Sequence, residues 1–282
     1  MSAIPAAEDR IRRSLEARIE TNQLELPLLP TSVAQVLELC YSPDASAAKL
    51  SEVIHRDQAL ASHLLRVANS PAYFPGTAIV SLQQAISRLG QRTIGEIAVA
   101  LSVKGVVFNE RRFQSEMRSL WRQSAASGAF AREIARTMRR SVDTALLCGL
   151  LQNVGKPAVI HLVTKVADTV GREVDNDEAL ELAEEYHTEV GARMVEGWSM
   201  PPAVIETTRY HHHYADAPTY PDEARVVHLS DRLAENLLSP QNVTEEMLRA
   251  ELAFAELNLY PEDVDAILAK GDDVRKFVEV IG

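Results

Sequence analysis

The chain has 282 residues, enough to bury a sizeable core in one large domain or two closely packed ones. A net charge of −11 argues against general nucleic-acid binding, which needs a basic face to neutralise phosphates. Two cysteines, Cys40 and Cys148, lie inside apolar helical patterns and read as small buried hydrophobes, not as a disulfide framework.

The N-terminus carries Glu8, Asp9, Arg10, Arg12 and Arg13 and has no apolar core of signal-peptide length. No run approaches the roughly 18 apolar residues of a membrane helix. A cytoplasmic protein is expected.

Residues 6–20 form an amphipathic helix with Ile11, Leu15 and Ile19 at four-residue steps. Leu26-Pro27-Leu28-Leu29-Pro30 holds the chain extended, because two prolines three apart forbid a helix interior. Thr31 or Ser32 caps a helix that turns Val33, Val36, Leu37 and Cys40 inward and ends at Pro43-Asp44. Residues 46–55 place Leu50, Val53 and Ile54 on one side. Asp57 caps the next helix, with Leu60, Leu64, Leu65 and Ala68 inward, and Asn69-Ser70-Pro71 stops it. Ser81 caps another, and Gly90 sits where a left-handed C-terminal residue is wanted. Residues 93–108 are helical again.

Residues 113–140 carry one long helix or a broken pair, with Leu120, Trp121, Ala125, Phe130, Ile134 and Met138 on the apolar side. From 104 to 140, nine basic residues stand against three glutamates, a local excess of +6. Arg132, Arg136 and Arg140 share a helix face at steps of four. They read either as solvated cations suited to the helix dipole or as a docking face for an acidic partner or phosphorylated ligand. Residues 146–151 form a buried run before Gln152-Asn153, and 158–170 continue as helix. An acidic loop over 171–177 leads to a helix from Asp177, through His187, to Met194. Gly197-Trp198-Ser199-Met200-Pro201-Pro202 turns into a helix ending near His211-His212-His213. Residues 222–238 form another. The tail adds short helices over 244–257, 261–270 and 272–280. The pattern is all-α. Ala78-Ile79-Val80 and Val106-Val107-Phe108 leave room for short extended pieces.

Gln152-Asn153 breaks an apolar helical run with two ligand-type residues, which marks a chemical site. Leu150-Leu151-Gln152-Asn153-Val154-Gly155-Lys156 resembles the core motif of the HD phosphohydrolase superfamily, Leu-Leu-His-Asp-Ile-Gly-Lys. Gln and Asn stand where His and Asp belong. Five further pieces, in order and at matching spacing, resemble the opening of the HDOD family, an output-type relative of HD hydrolases. They are Leu26-Pro27-Leu28-Leu29-Pro30, the helix around Leu50 and Ile54, Asp57 with Ala59-Leu60, Ala68-Asn69-Ser70, and Ala85-Ile86-Ser87-Arg88-Leu89-Gly90. Gln58 stands where the family commonly has proline. The likeness runs from about residue 24 to 235.

The resemblance implies a multi-helix HD-like bundle with an N-terminal helical subdomain. The expected divisions are 1–23, 24–115, 116–240 and 241–282. It also places the former metal ligands. The first His falls on Gln123, the His-Asp pair on Gln152 and Asn153, further histidines on His187 and on His211 or His212, and the closing Asp on Asp231. An HD-type centre needs neutral imidazoles and an anionic oxygen. Amides at the centre lead us to expect no metal, no cofactor and no catalysis.

Each position also has a purely structural reading. His187 would bond in a polar crevice, and the imidazoliums of His211-His212-His213 would suit a helix C-terminus. Asp231 would pair with Arg232 or Arg225. Gln152 and Asn153, in a cleft bordered by Gln123, would satisfy one another. Lys156 offers a cation to a phosphate. Asn69 either bonds free helix carbonyls or contacts a partner. The function expected is that of a non-catalytic, bacterial HDOD-type signal-transduction protein, binding a partner protein or a nucleotide-like ligand. The competing expectation is a divergent metal-dependent phosphohydrolase acting on a nucleotide or cyclic dinucleotide. DNA binding is disfavoured by the charge.

Overall fold

Apolar residues at three- and four-residue spacing give helices along the whole of the computed structural model, which describes residues 7–42, 46–70, 73, 76 and 78–281. The N-terminal group is α1 (Ala7–Glu20), α2 (Thr31–Tyr41), α3 (Ala47–His55), α4 (Gln58–Ala68), α5 (Leu82–Leu89) and α6 (Gln91–Val107). A 3-10 turn at Arg111–Phe113 leads to α7 (Gln114–Thr137), α8 (Val142–Leu151), α9 (Gly155–Val170), α10 (Asn176–Gly197), α11 (Pro202–Tyr210) and α12 (Pro221–Leu238). Four shorter helices follow: α13 (Glu245–Arg249), α14 (Leu252–Glu256), α15 (Pro261–Leu268) and α16 (Gly271–Ile281). There is no strand among the described residues. The expected division at 115/116 falls in the first turn of α7.

Local chemistry sets most boundaries. Asp57 accepts from the Leu60 N–H and Ser81 from the Gln84 N–H, as helix caps do. Gly90 has φ +87°, a conformation that disfavours any Cβ. Other details differ from expectation. Pro30 precedes α2 and no side chain caps it. Asp175, not Asp177, starts α10, because its carboxylate accepts from the Glu178 N–H. Val106 and Val107 are the last turn of α6. The expected stops at Pro43-Asp44 and Pro71 lie outside the described residues.

Helix α7 is the axis of the bundle. Residues 124–131 read Ser-Ala-Ala-Ser-Gly-Ala-Phe-Ala, and all are buried. Small side chains let α8 come so close that a Cβ on Gly149 would lie 2.7 Å from the Ser127 carbonyl oxygen. Helix α12 packs on another side of α7, and α16 lays Val274, Phe277, Val278 and Ile281 against it. The Trp121 Nε1–H donates to the Ile281 carbonyl at 3.2 Å. One continuous apolar core runs from Ile11 to Ile281.

Thr144–Val170 has the length and composition to cross a membrane, with mean hydropathy 1.3 over an 18-residue window, although Gln152, Asn153 and Lys156 interrupt its apolar run. It is the centre of this core instead: 89% of that window is buried. It comprises α8, a turn at 152–154, and α9. Cys40 and Cys148 are buried and unpaired.

Candidate functional site

The turn between α8 and α9 presents Gln152 and Asn153 to the space between α7, α10 and α12. Gly155 makes this possible. A Cβ there would overlap the His187 carbonyl oxygen and come within 2.8 Å of the Gly191 N, so only glycine lets α9 cross α10 at this distance. The crossing brings His187 of α10 to the site. His211 and His212 follow the last turn of α11, and Asp231 lies midway along α12.

Asp231 is the hub of a polar network. Its Oδ1 accepts from Gln152 Nε2 at 2.8 Å, Gln123 Nε2 at 3.0 Å and Asn153 Nδ2 at 3.2 Å. Gln123 also donates to the Asp231 carbonyl at 3.0 Å. Gln152 donates its second N–H to Ser127 Oγ at 2.7 Å. Ser127 lies 2.9 Å from Ser230 Oγ, which donates to the Val227 carbonyl. The amides are therefore oriented by a charge, since reversing one would set its oxygen against a carboxylate. This leaves Gln152 Oε1 and Asn153 Oδ1 buried without a hydrogen-bond partner. The amides do not satisfy one another, as the sequence suggested; all three turn to Asp231. Nor does Asp231 pair with an arginine. Arg232 engages Glu251 at 2.9 Å and Arg225 engages Glu256 at 2.8 Å.

The three histidines form the other half. His187 Nδ1 lies 2.7 Å from the Glu184 carbonyl, and His211 Nδ1 lies 3.0 Å from the Thr208 carbonyl. A carbonyl only accepts, so both rings carry their proton on Nδ1 and present a bare Nε2. Those two Nε2 atoms stand 3.3 Å apart, and His212 Nε2 stands 3.1 Å from that of His187. His212 can relieve its contact by donating from Nε2. The His187–His211 contact has no such relief while both protons stay on Nδ1. Burial, then the nearby Lys156 charge, pushes the His187 pKa down to about 4. Burial, then the two neighbouring imidazoles, pushes His211 well down. The expectation of imidazolium at the helix end is corrected at His211, which is 1% exposed, so that a charge there would lose its solvation.

The residues fit the ion implied by the fold in one half only. Ligand nitrogens about 2.0–2.1 Å from a tetrahedral ion stand about 3.3 Å from each other; His187 stands 3.3 and 3.1 Å from the other two, and all three ligand atoms lie within 4.8 Å of one another. His187, His211 and His212 are the residues that would hold it. The amide half does not fit: Gln152 and Asn153 are neutral amides where an imidazole and a carboxylate are needed, and with Gln123 they turn their N–H groups toward Asp231 Oδ1.

The pocket around these groups has a volume of about 580 Å³. Glu184, Asp231, Glu235 and Glu251 line it, against two cations, Lys156 and Arg232. Lys156 is not available for a phosphate, because its Nζ lies 2.7 Å from Glu184. Burial opposes ionisation of Glu184, but the Lys156 ammonium prevails and its pKa is lowered.

The other expected contacts are internal. Asn69 Nδ2 donates to the Leu65 and Ile79 carbonyls, both at 2.8 Å, and its Oδ1 accepts from the Ile79 N–H at 2.7 Å. It pins the 78–80 segment to α4. Arg132 lies over the rings of Tyr73 and Phe277, 5.3 and 5.4 Å from their centroids. Arg136 pairs with Glu133 at 2.5 Å, and Arg140 with Asp222 at 2.5 Å. Helix α7 stops at Thr137, so Arg140 does not share a helix face with Arg132 and Arg136 as expected, and all three are engaged within the chain. Ser127 and Ser230 are site residues that sequence reasoning missed, since a serine in a small-residue helix carries no distinguishing signal.

Among solved structures, a Shewanella amazonensis protein provisionally named a metal-dependent phosphohydrolase superposes with TM-score 0.77 at 20% identity, covering 98% of this chain and 99% of that one. An HDOD domain protein of unknown function from Geobacter sulfurreducens gives 0.60 at 21%, covering 95% and 98%. At these identities the likeness is one of fold. An uncharacterised protein of Treponema pallidum is 24% identical over 225 residues, which are 74% of this chain and 43% of that relative's length. The HDOD domain family matches residues 26–214, a span that holds Gln123, Gln152, Asn153, His187, His211 and His212. The chain belongs to the HDOD family.

Proposed function

We propose that this is a non-hydrolytic signal-transduction protein of the bacterial cytoplasm, acting by binding a partner protein. The observation that carries this reading is the saturation of Asp231 Oδ1 by three amide N–H groups. Hydrolysis in an HD-type centre requires that carboxylate on an ion, beside a second His and Asp. Here the second position is closed by Gln152 and Asn153.

The charge of the pocket supports the same reading. Four carboxylates against two paired cations disfavour a phosphate ester, so a nucleotide-like ligand fits less well than a protein. The orphaned amide oxygens and bare imidazoles favour hydrogen-bond donors instead. The histidine trio is the one feature that favours the hydrolytic alternative. A divalent ion bound there would supply Lewis acidity and an acidified water. The pocket would still lack the second His and Asp, replaced by Gln152 and Asn153, and an unpaired cation to hold the phosphate.

The test is to measure bound Zn²⁺ and Mn²⁺ in the purified protein and assay cleavage of bis-p-nitrophenyl phosphate and cyclic dinucleotides. We expect at most one equivalent of ion, lost in His211→Ala, and no turnover. Turnover that disappears in Asp231→Ala would establish the hydrolase instead.

A further inference from the structure

Nine cations lie between residues 104 and 140, and the fold divides them. Arg112, Arg132, Arg136 and Arg140 have carboxylate partners. The other five have none among the described residues, and three of these, Lys104, Arg118 and Arg122, line one cleft of about 540 Å³, joined by Arg275, which pairs with Asp272. The cleft lies between α6, α7, α12 and α16. One carboxylate, Glu279, lines it. In a chain of net charge −11 this is a local inversion of sign.

The walls are apolar. Phe108, Met117, Trp121, Leu237, Leu238 and Val278 line the same cleft, and Phe108 meets Trp121 edge-on at 5.2 Å. Helical phase produces the arrangement. Arg118 and Arg122 are four residues apart, as are Met117 and Trp121, so a basic row runs beside an apolar row along α7. Lys104 is half-buried. Desolvation, then the charge of Arg66, lowers its pKa. A carboxylate brought to the cleft relieves that repulsion.

We propose that this cleft docks an acidic segment of the partner protein. One apolar side chain of the segment seats against the half-buried Phe108 and Leu238, which cover the buried Trp121, and flanking carboxylates meet Lys104, Arg118 and Arg122. The acidic remainder of the surface repels such a segment and confines it to this place. The cleft uses positions 117, 118, 121 and 122 of α7 and the Asp231 network uses 123 and 127, so helical phase puts the two on opposite sides of one helix. Docking therefore acts on the element that positions Gln123. The inference rests on the protein-binding reading for the class of ligand; its own claim is the place and the charge.

The experiment uses the full chain and a fluorescein-labelled peptide of about twelve residues, Asp and Glu around a central Phe, in anisotropy titrations. We expect saturable binding that weakens with salt, and a loss of at least about tenfold in Arg118→Glu/Arg122→Glu. We expect a similar loss when the peptide Phe becomes Ser, and no change in Arg136→Glu. Circular dichroism confirms that the variants are folded. Absence of saturable binding, equal loss in Arg136→Glu, or equal binding of a Lys-for-Asp/Glu peptide overturns the proposal. Displacement of the peptide by duplex DNA or a nucleoside triphosphate at equal concentration overturns it as well. Phosphodiester turnover in the assay above would sink the non-hydrolytic reading and leave these binding results standing.

Discussion

At Asp231 a carboxylate suited to bind an ion is held by hydrogen bonds instead. Bonds to a charged acceptor contribute about 1.5–3 kcal/mol each when buried, so three of them replace much of what a cation would supply. Asn153 donates at 3.2 Å. Asn153→Asp exchanges that donor for a second anion at the same distance, in a site where solvent cannot screen it. We expect a loss of about 2–4 kcal/mol in urea unfolding, partly recovered by Mn²⁺. An unchanged midpoint without metal would mean that the amide is incidental. The histidines obey a similar rule. Their protons are fixed by backbone carbonyls of their own helices, so the direction of each lone pair is a property of the fold and not of the imidazole.

Among the elements, the α9–α10 crossing does most to assemble the site. Gly155 sits where α9 touches the His187 carbonyl, and Gly191 faces it from α10. Gly155→Ala must drive the helices apart or shift His187, because the obstacle is backbone and not the end of a flexible side chain. A destabilisation of about 1–3 kcal/mol is expected, with displaced imidazole resonances of His187 and His211 in NMR spectra. Glycine to alanine at Gly197, where nothing stands within 4 Å of the added carbon, serves as the control and should leave those resonances in place. Helix ends were the most legible part of the sequence, because a cap is a local event. Asp57, Ser81 and Gly90 act within four residues of themselves. Asp175 was missed in favour of Asp177, two acids being equivalent in a string and distinct only once the helix phase is known.

For the molecule as a whole, the C-terminal helix belongs to the core. Phe277 is 2% exposed and lies beneath Arg132 and beside Tyr73, 5.9 Å between ring centroids. Phe277→Ala should cost about 3–5 kcal/mol and shift tryptophan emission to the red as water reaches Trp121. Val280→Ala, on the half-buried side of the same helix, should cost well under half as much. An all-α chain, the caps at Asp57, Ser81 and Gly90 and the exchange of His-Asp for Gln152-Asn153 were determined by the sequence alone, because periodicity, capping and residue identity are local quantities. Only the tertiary structure decided that the amides turn to Asp231, that the imidazoles of His187 and His211 are neutral and converge with that of His212, and that Arg132, Arg136 and Arg140 are engaged while Arg118 and Arg122 are open. Each of those outcomes depends on the distance between side chains far apart in the chain, and on the solvent that packing removes from around them.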